Sequence, residues 1–431
     1  MSADDVIALI DRDELVRLAL DICNIDSAVG HEAEVGEHLH DWMRRQGFLT
    51  RKIGLLRDRF NLLGTLPGAG SNGCSLIFNS HMDTAVPREP DLVHADTSDP
   101  VHHGAWQEGD LLVGEGICND KGPMAAFLIA ARAILNSGHR LKGDLLLSAV
   151  VSETGGEPCD EPPGSFLESK ELGARFLITH GGVADYALVA EGTGFGLVWV
   201  EAGEFWYRLT LRSGQPPFYT PYLPDRTTLA GSPNMIVAAA AAIEAIEKWA
   251  AGYQKRNVYR SAGGTIVPKA QIGGIRSGNA HRPFLAPQVC ELYVDVRSVP
   301  GQDPLAVKAE LGQLISGLGL AGMVELYSFR PAFEARHVEP LAEAVCRAHR
   351  ATFGAEPPPA PVETSSMWRD INAFNEVGIP ALTYGPRSAS HAFKRALSID
   401  SLYQAACAYA RIALDLCNQE KTDRGARRGA G

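Results

Sequence analysis

Three stretches of this sequence are apolar almost without interruption, and each runs into a residue that can bind a metal or carry a proton. Residues 75–79 lead to His81, residues 144–151 to Glu153, and residues 184–190 to Glu191. A strand that is apolar at nearly every position must be covered on both faces, as parallel strands of an α/β sheet are. Helical patterns lie between them. Residues 13–47 read as a helix pair, with Leu15, Leu18 and Ile22 at helical spacing, and residues 124–135 as an Ala-rich helix. Residues 61–66 form a further short strand. The alternation predicts an α/β domain, a mixed and largely parallel sheet with flanking helices. In such sheets ligands sit beyond the carboxyl ends of the strands, where these three residues fall.

The texture changes near residue 203. Residues 204–212 and 291–297 alternate as half-exposed strands do, and residues 234–251 between them form an Ala-rich helix. Helix (340–353), strand (381–384) and long helix (399–417) then return, with a Pro-rich loop at 357–361. The expected organisation is a discontinuous domain, 1–202 with 331–420, interrupted by an α+β insert over 203–330. A basic tail, 421–431, is expected to be disordered.

A chain of 431 residues exceeds what one hydrophobic core usually supports, which agrees with two domains. The formal charge of −11 argues against a nucleic-acid partner, since phosphate binding needs clustered Lys and Arg. No apolar run is long enough for a membrane span, and the acidic N-terminus lacks the pattern of a secretion signal. The eight scattered cysteines contain no C-x-x-C pair and read as reduced thiols. The expected compartment is the cytoplasm.

The chemistry-bearing residues come in order. Ser80-His81-Met82-Asp83 places a carboxylate two residues after an imidazole, where it can orient that ring. Gly114-x-Gly116-x-x-Asn119-Asp120-Lys121-Gly122 opens a helix, with neither the Walker spacing nor G-x-G-x-x-G of a phosphate loop. Glu153 and Glu191 follow strand ends, and Tyr384-Gly385-Pro386 precedes His391. Each alone is bland. Several strands delivering His or carboxylate at the same end suit a hard or borderline divalent metal.

This ordered set resembles the metallopeptidase M20 family, which includes acetylornithine deacetylases, succinyl-diaminopimelate desuccinylases, aminoacylases and carboxypeptidase G-like enzymes. The likeness covers nearly the whole chain. It implies a zinc-exopeptidase-like catalytic domain, with the insert as a lid and dimerisation domain, and hence a homo-oligomer, dimeric or larger. It also implies metal or catalytic roles for His81, Asp83, the Asn119–Asp120 pair, Glu153, Glu191 and His391. The metal is a divalent transition ion, Zn, Mn or Co. Many family substrates are small carboxylates, which makes Arg276, Asn279, His281, Arg282 and Arg369 candidate substrate-binding residues.

Three positions depart from the family pattern. Asn119 stands where a metal-bridging Asp is usual, with Asp120 beside it; a neutral amide bridges two dications poorly, so one metal per chain is expected. Glu153, between Ser152 and Thr154, stands where adjacent glutamates are usual. Either it is the general base and His81, Asp120 or Asn119, and Glu191 hold the metal, or it is a ligand and the base lies elsewhere. The lid segment 214–220 has no His, so Tyr219 or Thr220 is the candidate oxyanion donor. Two reactions share a metal-activated water and cleave a C–N bond: amide hydrolysis of an N-acyl amino acid or dipeptide, and hydrolytic deamination of an electron-poor aromatic amine such as 5-nitroanthranilate. A catalytically dead binding protein is the third reading.

Overall fold

The structure is a computed structural model and describes residues 2–70, 72–85, 98–157, 169–225, 228–389 and 395–421. The chain divides into two compact units. Met1–Trp199, Ala335–Pro361 and Arg369–Gly431 form the first; Val200–Glu334 and Val362–Trp368 form the second. The second unit therefore contains the expected insert and a few flanking residues. Its two ends pair with each other, Val200–Glu201 against Phe333–Glu334. Of the expected tail, residues 422–431 lie outside the described residues.

The first unit is built on six strands, β1 (Leu49–Leu56), β2 (Arg59–Leu66), β3 (Leu76–His81), β4 (Leu145–Val150), β5 (Tyr186–Val189) and β6 (Ala381–Thr383). Their order is β1-β2-β4-β3-β5-β6. β4, β3, β5 and β6 run parallel, and β1 and β2 form an antiparallel edge. β3 and β4 are buried at every position, which is why their sequences do not alternate. Side chains of the sheet enter two cores. Leu62, Leu76, Phe78, Leu147, Leu188 and Leu382 pack in a core shared with helices Arg12–Cys23, Ala33–Gln46, Lys121–Asn136, Glu339–Phe353 and Ile399–Leu416. Leu63, Ile77, Leu146, Val150, Ala187 and Ala381 pack in another, shared with the short helices Ala174–Thr179 and Ile371–Glu376. Phe78 lies 5.6 Å from the Phe127 ring and 5.4 Å from that of Tyr409, tying β3 to two helices.

The second unit has a four-stranded antiparallel sheet in the order Ala270–Ser277, Val289–Ser298, Gly203–Arg212, Gly322–Arg330. Helices Met235–Arg256 and Pro304–Gly317 share a core with residues of these strands. The second of these helices opens on Asp303, whose carboxylate accepts from Leu305 N–H at 2.8 Å, with Pro304 in the first turn. Asp295 and Arg297 pair at 3.1 Å, and Arg297 also reaches Glu204 at 2.9 Å. The seven described cysteines form no disulfide with one another, and no described helix is long and apolar enough to cross a membrane.

The amino ends of β3 and β5 are joined by one carboxylate. Asp185 accepts from Ser75 N–H and Oγ, each at 2.8 Å, and lies 3.2 Å from Lys421 Nζ. Burial would raise its pKa, but the two Ser75 hydrogen bonds and Lys421 hold it below the ordinary 3.8. A depressed native value means stabilisation that is complete above the ordinary carboxylate range and lost as pH falls through the lowered value. Asp185→Asn should therefore cost about 1–2 kcal/mol at pH 7. In urea unfolding of both proteins, that difference should shrink steadily below about pH 4.

Candidate metal centre

His81 closes β3, Glu153 lies three residues beyond β4, and Glu191 lies two beyond β5. Their parallel register brings all three to one end of the sheet. Asp120 arrives from a different direction, as the residue before helix Lys121–Asn136, and its peptide with Asn119 is cis. Gly122 is demanded by close approach and Gly116 by its φ of +79°. A Cβ on Gly122 would stand 2.0 Å from the Ile117 carbonyl oxygen, and one on Gly116 would stand 3.2 Å from Lys121 Cδ. Lys121 thus folds back over Gly116, is buried, and donates to Ile25 O at 2.9 Å. The Gly-rich segment is a turn that aims Asp120 inward.

His81, Asp120 and Glu191 are buried and each offers a ligand atom within 4.8 Å of the others. His81 Nε2 lies 3.7 Å from Asp120 Oδ2 and 3.8 Å from Glu153 Oε2. His81 Nε2, both carboxylate oxygens of Asp120 and Glu191 Oε1 have no hydrogen-bond partner among the described residues. Asp120 occupies a helix N-cap, yet its side chain caps nothing. Orphaned buried donors and acceptors that converge on one point are costly unless a ligand completes them. One imidazole and two carboxylates fit a divalent ion such as Zn, Mn or Co.

The electrostatics agree. Burial alone would lower the His81 pKa, but Asp120, Asp83, Glu153 and Glu191 together push it up to about 10. Burial, reinforced by Glu191, holds Asp120 well above the ordinary carboxylate value against the pull of His81. Burial also raises Glu153, with Lys170 and His81 opposing. Asp370 is pushed up to about 7 by burial and by Glu153, against a 2.8 Å hydrogen bond from Asn79. The pocket holds more buried negative charge than its cations balance, the condition a bound dication relieves.

Two sequence expectations change. Asp83 does not orient His81 through its carboxylate, which stands 3.7 Å from Nδ1; its backbone carbonyl accepts from Nδ1 at 2.9 Å. A carbonyl only accepts, so Nδ1 carries the proton and Nε2 faces Asp120 and Glu153. The Asp83 carboxylate instead accepts from Glu153 N–H at 3.0 Å, Thr154 N–H at 2.8 Å and Thr154 Oγ1 at 2.6 Å. Arg369, expected to hold a substrate carboxylate, is buried against Glu191 with Nε as donor. A guanidinium taken out of water needs an anion, and Glu191 supplies it.

Of the remaining candidates, Asn119 is half-buried beside Asp120, and His391 lies outside the described residues. Tyr219, Thr220, Arg276, Asn279, His281 and Arg282 belong to the second unit. Tyr219 is half-exposed, its ring 5.8 Å from Phe284 and 6.2 Å from Tyr222. The Thr220 hydroxyl donates to Phe284 O at 3.1 Å, Arg276 lies over Tyr293 at 5.5 Å, and Asn279 accepts from His281 N–H at 2.9 Å. His281 and Arg282 are exposed. Trp368-Arg369-Asp370, just before the last strand, is the one further segment expected to face the pocket, and its Asp370 is buried and accepts from Asn79. Sequence reasoning missed Lys170, whose Nζ donates to the Glu153 carbonyl and lies 3.9 Å from Oε1. No motif marks Lys170.

A family model described as Peptidase family M20/M25/M40 matches residues 77–415. An N-formyl-4-amino-5-aminomethyl-2-methylpyrimidine deformylase of Bacillus subtilis is 25% identical, with 95% of this chain and 96% of that protein covered. Aminopeptidase PepT of Bacillus cereus superposes with a TM-score of 0.67 at 19% identity, covering 95% of this chain and 99% of that one. A dinuclear metal-binding peptidase of the M20 family from Bacillus subtilis gives 0.63 at 14% identity, covering 94% and 97%. The family model spans most of the sequence, including the strands whose ends carry His81, Glu153 and Glu191: this chain is a metal-dependent hydrolase acting on C–N bonds and belongs to peptidase family M20/M25/M40.

Proposed function

We propose that this enzyme hydrolyses the amide bond of a small N-acylated amine or dipeptide bearing a carboxylate, with Glu153 as general base. The observation that carries the reading is the separation of roles. His81, Asp120 and Glu191 form the ligand cluster. Glu153 stands at its margin, 3.8 Å from His81 Nε2, with its backbone gripped by Asp83 and Lys170. A divalent ion held by the cluster supplies Lewis acidity toward the carbonyl oxygen and makes water a stronger acid. Glu153 takes the proton from the attacking water and returns it to the departing nitrogen. The raised pKa of its buried carboxyl suits both halves of that transfer. Arg369 fixes Glu191, and the Asp83 carbonyl fixes the tautomer of His81. Similarity to a deformylase along nearly the whole chain supports an acyl amide as substrate.

One observation favours a second reading, deamination of an electron-poor aromatic amine such as 5-nitroanthranilate. The segment 214–220 has no His and leads into an exposed aromatic group of Tyr219, Tyr222 and Phe284. The retention of His81, Asp120, Glu153 and Glu191 together speaks against a dead binding protein. The enzyme works in the cytoplasm as a homo-oligomer, a reading supported by the seven described cysteines, which form no disulfide with one another, and by the family resemblance.

Protein purified without chelator should carry about one Zn, Mn or Co per chain by elemental analysis. Two ions per chain would draw Glu153 into the ligand set and defeat the base assignment. His81→Ala should lose the metal. Glu153→Gln should keep it while kcat falls by about 10²- to 10⁴-fold; full turnover by that variant would remove Glu153 as base. A panel of N-formyl and N-acetyl amino acids, dipeptides and 5-nitroanthranilate, assayed for released amine and for ammonia, separates the two reactions. Ammonia from 5-nitroanthranilate with no amide cleavage would replace the first reading by the second.

A further inference from the structure

We infer that the buried Glu32–Arg59 ion pair is a positioning device for Glu153, an inference that rests on Glu153 being the base. Arg59 opens β2 and Glu32 precedes helix Ala33–Gln46. The two are 4% and 1% exposed. Arg59 Nε donates to Glu32 Oε2 at 3.0 Å and Nη2 to Oε1 at 2.7 Å, a two-point contact between fork and carboxylate. Both partners then reach Ser152. Arg59 Nη2 donates to Ser152 Oγ, and Ser152 N–H donates to Glu32 Oε1 at 3.3 Å.

Ser152 needs such an anchor. It is the buried residue at which the chain leaves β4, and its φ of +60° lies in the left-handed region that serine rarely adopts. The next residue is Glu153. One step further, the Asp83 carboxylate accepts from the N–H groups of Glu153 and Thr154. The loop 152–154 is therefore held from two sides, by the Glu32–Arg59 pair at its start and by Asp83 along its length. An ion pair sealed from water is a weak source of stability, since apolar residues of similar volume often serve packing as well. What this pair offers that apolar residues cannot is a donor and an acceptor matched to Ser152. Holding Ser152 in its conformation sets the direction in which the Glu153 side chain leaves the backbone.

The test compares full-length wild type, Arg59→Met/Glu32→Leu and Ser152→Ala. The double replacement removes the pair without stranding a buried charge; the single one deletes only the hydroxyl anchor. Amide hydrogen exchange, bound metal per chain and steady-state kinetics on the best N-acyl substrate of the wild type are measured for each. The double variant should exchange at least about tenfold faster in the peptide 150–157, with the peptides of β3 and β5 unchanged. Its metal content should stay that of wild type. Its kcat should fall about ten- to a hundredfold, with KM within about twofold. Ser152→Ala should move in the same direction by a smaller factor. Wild-type exchange in 150–157 and wild-type kcat would overturn the inference. So would a loss of kcat that comes only with metal loss or faster exchange throughout the first unit, since the pair would then merely hold the fold. Should the double variant fail to fold, Ser152→Ala decides by the same readouts. Full turnover by Glu153→Gln would fell the base assignment instead, while exchange in 150–157 still reports whether the pair anchors the loop.

Discussion

Asp120, Glu153 and Glu191 are taken out of water around a single imidazole. Arg369 meets Glu191 and Lys170 approaches Glu153, whereas neither oxygen of Asp120 has a hydrogen-bond partner among the described residues. Carboxylates in that position either take up protons or gain a cation. The elevated pKa values of Asp120, Glu153 and Asp370 express the first option. A bound dication is the second. Much of the first unit serves this choice. Fully buried strands carry the groups to one place, two cores fix those strands, and the glycine turn lets an aspartate leave its capping role and face inward.

The same constraint explains why the polar groups around the centre are so thoroughly tied down. A ligand or base that moves by an ångström loses much of its effect. Asn79 sits mid-sheet on β3, donates to Asp370 and accepts from Ser148 Oγ at 2.7 Å, so a chain of buried polar contacts runs from β4 through β3 to Asp370. Asp83 joins two strand ends by giving its carbonyl to His81 and its carboxylate to the Glu153 loop. Each is a buried polar group satisfied by a partner that also has to stay in place.

Much of this was legible in the sequence, for identifiable reasons. β3, β4 and β5 announce themselves because burial on both faces removes polar residues from their run, so His81, Glu153 and Glu191 stand out where the run stops. The glycine segment announces a turn because only glycine tolerates the approach of the Ile117 carbonyl. Contacts between distant segments left no such mark. The Arg369–Glu191 pair, the shift of Asp83 from His81 to the Glu153 loop, and the approach of Lys170 depend on chain crossings that no local pattern encodes. Strict spacing points to Asn119 as the ligand position, yet it is Asp120 that is buried among the ligand groups while Asn119 is half-buried, a difference that local spacing does not encode.

The interruption of the first unit has a consequence for the life of the chain on the ribosome. Glu191 is made before the second unit, and Arg369, Asp370 and β6 are made after it. For the whole of that interval β5 lacks its outer neighbour, and Glu191 lacks the guanidinium that accompanies it into the interior. Contacts so far apart in sequence close late. While the second unit is synthesised, the nascent first unit therefore has a sheet edge open and a carboxylate unmatched, and unpaired strand edges are where misassembly starts.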